Sequence, residues 1–236
     1  YKKKFKNTNK EIKLIIKDDL IIAADNFGYI YCINYKKNKI IWAKNFLIPF
    51  RSNLKILNNT IFISDEKNKI ILIDFKNGNK IEELYTQPSK TVSGFENNLA
   101  VDSQNNLLFL STNGTLYSLD LTNNKKVINW IQNFKPENDL VFNANRVIIS
   151  NNQVLISTSN GISLINLNGT RIWDLKINSN ISPIVSGNII LTVNDDNYLV
   201  LIDKTSGKII FSKNILLMIA DNFKKDFKKK VKKIDY

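Results

Sequence analysis

Few residue types that commonly carry chemistry occur in this chain. Its 236 residues include no histidine and one cysteine, Cys32. Without histidine the chain lacks the most common general base, the usual partner of a nucleophilic serine or cysteine, and a frequent zinc ligand. Cys32 lies in the run Tyr-Cys-Ile-Asn, where no base or helix N-terminus activates it, so we interpret it as a small buried apolar residue. This composition does not favour an enzyme.

Carboxylates are the remaining candidates for a reactive or cation-binding site. Asp195 and Asp196 are adjacent, which could suggest a cation site, but adjacent acids in a hairpin usually form the turn. Asp74, Asp120 and Asp203 each end a short apolar run. They recur at the same place in successive segments, whereas a catalytic site is needed once. We therefore predict that they accept hydrogen bonds from the following turn, and we expect no catalytic residue, metal site or cofactor.

Arginine is rare in this lysine-rich chain and occurs at three positions, Arg51, Arg146 and Arg171. Its planar fork pairs with carboxylates better than lysine does. Arg51 directly follows Phe50 in a link between two strand-rich segments, and an arginine beside an exposed aromatic ring is typical of an interface anchor. Phe50 and Arg51 are therefore the candidate partner contacts. The alternative, which general experience favours, is a salt bridge or carbonyl clamp that only joins the segments.

The elements that would position these residues repeat along the chain. Each repeat has four short apolar runs separated by polar turns, and the third run ends in Asp or Asn. These anchors, 37 to 46 residues apart, are Asn34, Asp74, Asp120, Asn166 and Asp203. Four short strands per repeat of this length are typical of a β-propeller blade. The sequence therefore predicts an all-β propeller fold with five clear repeats, in a single domain spanning residues 1–236.

Two kinds of residue recur at fixed places in the repeat. Glycines in turns, several of them preceded by Asn, suit hairpins that need a positive φ. These turn glycines are Gly28, Gly78, Gly114, Gly161, Gly169 and Gly207. Large rings occupy the fourth run, namely Trp42, Trp130, Trp173 and Phe211, while the second repeat has Leu84. We predict that each ring packs between adjacent sheets, where truncation costs about 3–5 kcal/mol.

The segments GYIYCINYKKNKIIW, GTLYSLDLTNNKKVINW and YLVLIDKTSGKIIF resemble the repeat of PQQ-type, quinoprotein-like β-propellers. That repeat combines a glycine turn, a Tyr-x-Leu-Asp strand, a Thr-Gly-Lys turn and a tryptophan; the last segment keeps Thr205, Gly207 and Lys208. The resemblance extends from about residue 20 to 213. It implies a larger, eight-bladed propeller, of which five repeats would form an incomplete ring.

Two branches of that family imply different functions. The quinone-dependent dehydrogenases bind PQQ and calcium through carboxylates and a vicinal disulfide, and a chain with one cysteine departs from that pattern. The BamB-like branch keeps the repeats without the cofactor. It implies a non-catalytic scaffold that binds the outer-membrane barrel-assembly machinery from the periplasmic face of the outer membrane, although no lipoprotein signal is visible. The alternative is a fragment of a PQQ-dependent dehydrogenase.

The formal net charge is +13. Polyanion-binding proteins are often strongly basic. Here, however, the lysines are scattered through the turns, so a general compositional drift explains the charge better and we expect no nucleic-acid partner.

The period changes near the C-terminal end. Over residues 215–233 apolar residues recur at steps of three and four with lysines between them, which is the pattern of a basic amphipathic helix. Such a helix could contact a membrane surface or a partner. The alternative, which we favour, is a connector that packs on the propeller. No apolar run approaches the roughly 18 residues that span a bilayer.

Overall fold

A computed structural model of the chain describes residues 10–88, 96–121, 127–135, 142–179, 181–220 and 222. The chain divides into two compact units, Tyr1–Asn143 and Ala144–Tyr236, which are called the first and second unit below. The single domain that the sequence predicts over residues 1–236 therefore stays a prediction.

The first unit contains three four-stranded antiparallel sheets, each formed by four consecutive strands. Their strands are, in order, β1 (Ile12–Lys17), β2 (Leu20–Asp25), β3 (Tyr29–Asn34), β4 (Lys39–Asn45); β5 (Lys55–Leu57), β6 (Thr60–Ser64), β7 (Ile70–Asp74), β8 (Lys80–Leu84); β9 (Asn98–Val101), β10 (Asn106–Leu110), β11 (Thr115–Asp120) and β12 (Val127–Asn133).

The second unit contains two sheets of the same kind. Their strands are β13 (Ile148–Ser150), β14 (Gln153–Thr158), β15 (Gly161–Asn166), β16 (Arg171–Leu175); β17 (Ile184–Ser186), β18 (Ile189–Val193), β19 (Tyr198–Asp203) and β20 (Ile209–Asn214). The prediction of an all-β fold with five four-stranded repeats is confirmed. In chain order we call these the first to fifth sheets.

A β-bulge recurs between the third and fourth strands of every sheet. It falls two residues before the anchor position, at Cys32/Ile33, Leu72/Ile73, Ser118/Leu119, Leu164/Ile165 and Leu201/Ile202. A bulge adds local twist and shifts the register of the last strand. Its repetition shows that the five sheets are copies of one structural unit, as in the blades of a propeller.

The anchor residues close the turn that follows the bulge. The Oδ1 atom of Asp74 accepts hydrogen bonds from the backbone N–H groups of Lys76 and Asn77, at 2.9 and 3.0 Å. In the fifth sheet the Oδ1 atom of Asp203 accepts from the N–H of Ser206 at 2.7 Å. These bonds confirm the predicted structural role for both carboxylates, because each is occupied by its own turn.

Hydrophobic cores form where the sheets of one unit pack face to face. In the first unit, Ile22 and Ile30 of the first sheet join Ile61 and Ile71 of the second in one fully buried cluster. The opposite face of the second sheet packs on the third through Phe62 and Phe109, among others. In the second unit, the fourth and fifth sheets pack through a cluster that includes Leu164 and Ile202. Both faces of the second sheet are therefore covered.

Residues 215–220 are helical, and the remainder of the predicted amphipathic segment, apart from residue 222, lies outside the described residues. The proposed connector or membrane-contacting role of residues 215–233 therefore stays a prediction. No helix in the described part of the chain has the length and hydrophobicity needed to cross a membrane.

Candidate functional site

The ring of Trp42 lies where the first sheet meets the second. Its indole N–H donates to the backbone carbonyl of Phe75 at 3.1 Å, and its side chain is 9% exposed. A Cβ built on Gly78 would come within 2.5 Å of the indole. Gly78 has a φ of +72°. Position 78 therefore favours glycine for two reasons: the backbone is in the left-handed region, and the indole ring leaves no room for a Cβ.

Trp173 makes the same contact between the fourth and fifth sheets. Its indole N–H donates to the carbonyl of Lys204 at 2.9 Å, and a Cβ on Gly207 would lie 2.7 Å from the ring. Gly207 has a φ of +70°. Phe75 and Lys204 both directly follow an anchor aspartate, so the two tryptophans occupy equivalent places. We call this contact the indole seat.

The two other predicted packing rings lie in different surroundings. Trp130 on β12 is partly buried. Phe211 on β20 is 41% exposed, unlike Trp42. The exposed face of the fifth sheet explains this difference. Phe211 pairs with Leu201, which pairs with Leu191, and Leu191 pairs with Ile184, so these side chains form one row across that face. Among the described residues of the second unit, no further sheet follows β20 on that side.

The predicted turn glycines divide into two groups. Five of them have a positive φ, namely Gly28, Gly78, Gly114, Gly169 and Gly207. Gly161 differs because it is the first residue of β15. There a Cβ would lie 2.7 Å from the carbonyl oxygen of Leu175 on the neighbouring strand, so the space rather than the turn favours glycine.

No arrangement of reactive groups appears in the described part of the chain. No group of three or more Cys, Asp or Glu side chains there could hold a metal ion. Cys32 is buried, and desolvation raises the pKa of its thiol, which leaves it less nucleophilic. The backbone N–H groups of Asp196 and Tyr198 donate to Asn194, so the Asp195-Asp196 pair lies in an ordinary hairpin turn.

Two buried ionisable side chains, those of Asp65 and Lys204, form hydrogen bonds that stabilise the fold. Asp65 accepts from the N–H groups of Lys67 and Lys69, both at 2.9 Å, while burial raises the pKa of its carboxyl group. Lys204 places its ammonium group 3.1 Å from the carbonyl oxygen of Ser150, and desolvation lowers its pKa. Asp65 thus closes its own turn, and Lys204 ties the fifth sheet to the fourth.

The linker between β4 and β5 contains the predicted contact pair, and the structure corrects half of that prediction. Phe50 is 4% exposed and belongs to the core between the first and second sheets. It forms an isolated β-bridge with Asp65, and its ring contacts that of Phe46 at a centroid distance of 5.7 Å. The ring of Phe50 is buried in this core, so a partner cannot contact it.

Arg51 behaves differently from its neighbour. Its backbone N–H donates to the carbonyl of Ser64 at 2.9 Å, while its partly exposed guanidinium group pairs with no carboxylate in the described part of the chain. Asn145 has the same backbone bond, to Ser157, in the fourth sheet. There the side-chain amide is occupied by Ser157, Ser179 and Ile181. The repeat therefore does not require an unpaired cation at the position that Arg51 and Asn145 share.

Leu47 was not singled out by the sequence and is the most exposed large apolar residue of the linker, at 84%. Its φ is +58°. The other non-glycine residues with positive φ in the described part of the chain are all Asn or Asp: Asp18, Asn38, Asn58, Asn68, Asn105, Asn151, Asn152 and Asn197. Asn and Asp tolerate this conformation far better than leucine. An exposed, left-handed leucine is therefore an outlier in two respects.

The comparisons with known proteins agree on the fold. The family model described as outer membrane protein assembly factor BamB matches residues 8–213. No curated protein sequence matches the chain. The crystal structure of BamB from Moraxella catarrhalis is similar, with a TM-score of 0.70 and 12% identity over 86% of this chain and 63% of that chain.

Two further solved structures are similar. Quinohemoprotein alcohol dehydrogenase from Comamonas testosteroni has a TM-score of 0.67 and 12% identity, covering 87% of this chain and 43% of that one. The computationally designed Ika8 protein has a TM-score of 0.66 and 12% identity, covering 86% and 61%. The chain thus spans less than two thirds of each of these three proteins. At this identity the likeness concerns the fold alone, and it confirms the predicted β-propeller class. The family match over residues 8–213 confirms the resemblance to the BamB-like branch.

Proposed function

The chain belongs to the family of outer membrane protein assembly factor BamB, and we propose that it is a non-catalytic scaffold that binds protein partners during the assembly of outer-membrane β-barrels. The family match over residues 8–213 carries this proposal. We further propose that it works at the periplasmic face of the outer membrane, together with the barrel-assembly machinery.

The packing within each unit supports a rigid scaffold. The indole seats of Trp42 and Trp173 join neighbouring sheets through one hydrogen bond and one close ring contact each. A second, polar connection joins the second and third sheets, where Asn53 exchanges two hydrogen bonds with the backbone of Leu99, at 2.8 and 2.9 Å. Sheets held in this way keep the linkers between them in fixed positions, which reduces the entropy that a linker loses on binding.

The linkers supply the surface that a scaffold needs. Loops on a rigid framework are the usual location of binding residues. The β4–β5 linker presents Leu47 and Arg51, and the segment after β8 presents Tyr85, which is largely exposed. Tyrosine and arginine side chains are enriched at protein interfaces, and an exposed apolar side chain such as that of Leu47 adds area whose removal from water favours binding.

A quinoprotein dehydrogenase is the competing function, since one such enzyme shares the fold. That likeness at 12% identity concerns the fold alone. The residues known to be present fit the scaffold better, because Cys32 has no second cysteine with which to form a disulfide. Titration with PQQ and calcium tests this alternative: a saturable change in the PQQ absorption spectrum supports the enzyme and contradicts the scaffold.

The proposal is tested by replacing the native protein in its own cell with an affinity-tagged copy. After mild detergent extraction, we expect the barrel-assembly complex to co-purify with the tagged chain. Depletion of the protein should lower the amount of folded outer-membrane barrels, read from their heat-modifiable mobility on gels. Normal barrel levels together with no co-purification would refute the function.

A further inference from the structure

The β4–β5 linker holds Leu47 in a conformation that leucine avoids, and neighbouring groups enforce it. The side-chain Oδ1 of Asn45 accepts a hydrogen bond from the N–H of Leu47 at 2.9 Å. The N–H of Phe46 donates to the carbonyl of Gly28 at 2.8 Å. A Cβ on Gly28 would lie 2.5 Å from the carbonyl oxygen of Ile48, so the linker passes directly over this glycine.

Residues on both sides of Leu47 are fixed as well. Phe46 and Phe50 contact each other, and Phe50 is buried between two sheets. The tip of the linker is therefore clamped at both ends, while the leucine side chain itself extends into solvent. The fold gains no packing from this side chain and accepts an unfavourable backbone conformation at the same residue.

Equivalent tips in other sheets show that the linker does not need leucine in this conformation. Asn133 and Asn214 also end their outer strands and accept from the N–H two residues later, that of Lys135 at 3.1 Å and that of Leu216 at 3.1 Å. Neither Lys135 nor Leu216 has a positive φ. Among these three tips the positive φ occurs at Leu47 alone. Residues held in such sparsely populated backbone conformations persist only where their surroundings enforce them, and they cluster at functional sites.

Arg51 supplies the second part of the surface. It lies four residues after Leu47, so their Cα atoms are at most about 14 Å apart, within one interface. Its guanidinium group has no carboxylate partner in the described part of the chain, although Asn145 at the equivalent place is fully engaged. A free cation on a chain of net charge +13 favours an acidic partner surface.

We infer that Leu47 is a preorganised apolar anchor that inserts into a hydrophobic pocket on a protein subunit of the barrel-assembly machinery, and that Arg51 pairs with a carboxylate at the rim of this pocket. The inference rests on the proposed scaffold function and names its contact site. Because the tip is already ordered, binding does not have to order it.

The test uses three variants of the 236-residue chain, at Leu47 and Arg51, and a matched control. Leu47→Asn removes the apolar anchor and installs a residue that tolerates positive φ. Leu47→Met keeps an apolar side chain of similar volume. Lys135→Asn places the same new residue at the equivalent tip of the third sheet. The probe is the protein's own barrel-assembly complex, purified in detergent without this subunit, and binding is followed by biolayer interferometry alongside thermal unfolding.

We expect Leu47→Asn to bind about tenfold more weakly or worse, as for an interface anchor, while its Tm equals or exceeds that of the wild type. Leu47→Met and Lys135→Asn should bind as the wild type does. Arg51→Gln should weaken binding less and flatten its salt dependence.

Each of the other outcomes refutes either the anchor role of Leu47 or the scaffold function itself. Wild-type binding by Leu47→Asn refutes the anchor and leaves the scaffold function intact. A lower Tm for Leu47→Asn refutes it too, because the leucine would then serve the fold. Absence of binding by the wild-type chain refutes the scaffold function and, with it, the partner named for Leu47.

Discussion

Trp42 and Gly78 belong to neighbouring sheets, and the indole of one occupies the space where a side chain of the other would be. A Cβ on Gly78 would lie 2.5 Å from the ring, and the backbone there has a φ of +72°. Trp173 and Gly207 repeat the relationship in the second unit. The contact between sheets thus depends on the smallest residue as much as on the largest.

Gly78→Ala should destabilise the protein for two separable reasons. The left-handed backbone costs an alanine roughly 1–2 kcal/mol, and displacing the indole adds about 1–3 kcal/mol. Gly187→Ala is the matched control, because Gly187 has a φ of +56° but no atom within 4 Å of its Cβ position. Urea unfolding should show a clearly larger loss for Gly78→Ala. Equal losses would mean that the ring contact contributes nothing.

The tryptophans offer a second test of the same contact. Trp42→Phe keeps most of the apolar ring but removes the N–H that donates to the carbonyl of Phe75, which should cost about 1–2 kcal/mol. Trp42→Ala should cost about 3–5 kcal/mol. Phe211→Ala should cost less than half as much, because that ring is 41% exposed. These differences are read from chemical denaturation, and a Phe211→Ala loss equal to that of Trp42→Ala would contradict the structural difference between the two rings.

The strands and the repeat could be read from the sequence because both are set locally. Alternating apolar runs and Asn-Gly turns determine strands and hairpins within a few residues. The anchor aspartates were identified for the same reason, since the side chain of Asp74 accepts hydrogen bonds from the turn that directly follows it.

Long-range contacts explain what sequence reasoning could not assign. Phe50 follows a proline in a linker and looks exposed, yet its β-bridge to Asp65 carries it into the core. The sequence alone did not identify Leu47, because nothing in a single sequence predicts a left-handed backbone conformation at a leucine. The nearest indication was Asn45, since asparagine often forms tight turns by accepting a hydrogen bond from the backbone two residues later. Phe211 has the place of a packing ring in the repeat, but its burial depends on what covers the fifth sheet.

A buried amide network between the second and third sheets should be intolerant of truncation. The Oδ1 atom of Asn68 accepts from the backbone N–H and the hydroxyl of Thr112, both at 3.0 Å, and from the side chain of Asn97 at 3.3 Å. Asn68 also has a φ of +67°. Asn68→Ala therefore leaves buried donors without an acceptor and strains the backbone, for a loss of roughly 2–4 kcal/mol.

The control for this variant separates the two effects. Asn58 has a φ of +52° and an exposed side chain. Asn58→Ala should show only the backbone cost of about 1–2 kcal/mol. Hydrogen exchange should also show faster opening at Thr112 in Asn68→Ala. Unchanged exchange there, with equal stability losses in the two variants, would show that the network does not stabilise the contact.

Glu83 should make stability depend on pH in the acid range. Its carboxylate accepts from Lys80 at 3.0 Å, from the hydroxyl of Tyr85 at 2.8 Å and from Lys69 at 3.1 Å. These bonds, that from Lys80 foremost, lower the pKa of Glu83 from 4.5 to about 2. A carboxyl group whose pKa is lower in the folded state binds fewer protons there than when unfolded. Its stabilisation is therefore complete above pH 4.5 and is lost as the pH falls toward 2.

Glu83→Gln should lower the free energy of unfolding by about 1 kcal/mol at neutral pH, a modest value because solvent screens a partly exposed cluster. The difference from the wild type should shrink below pH 4.5 and approach zero near pH 2, since other carboxylates titrate alike in both proteins and cancel. Glu66→Gln, which removes the same charge from an exposed side chain, should show little pH-dependent difference. Urea unfolding at pH 7, 4 and 3 measures both variants, and a Glu83→Gln difference that stays constant over this range would mean that the cluster does not hold the carboxylate in its charged form.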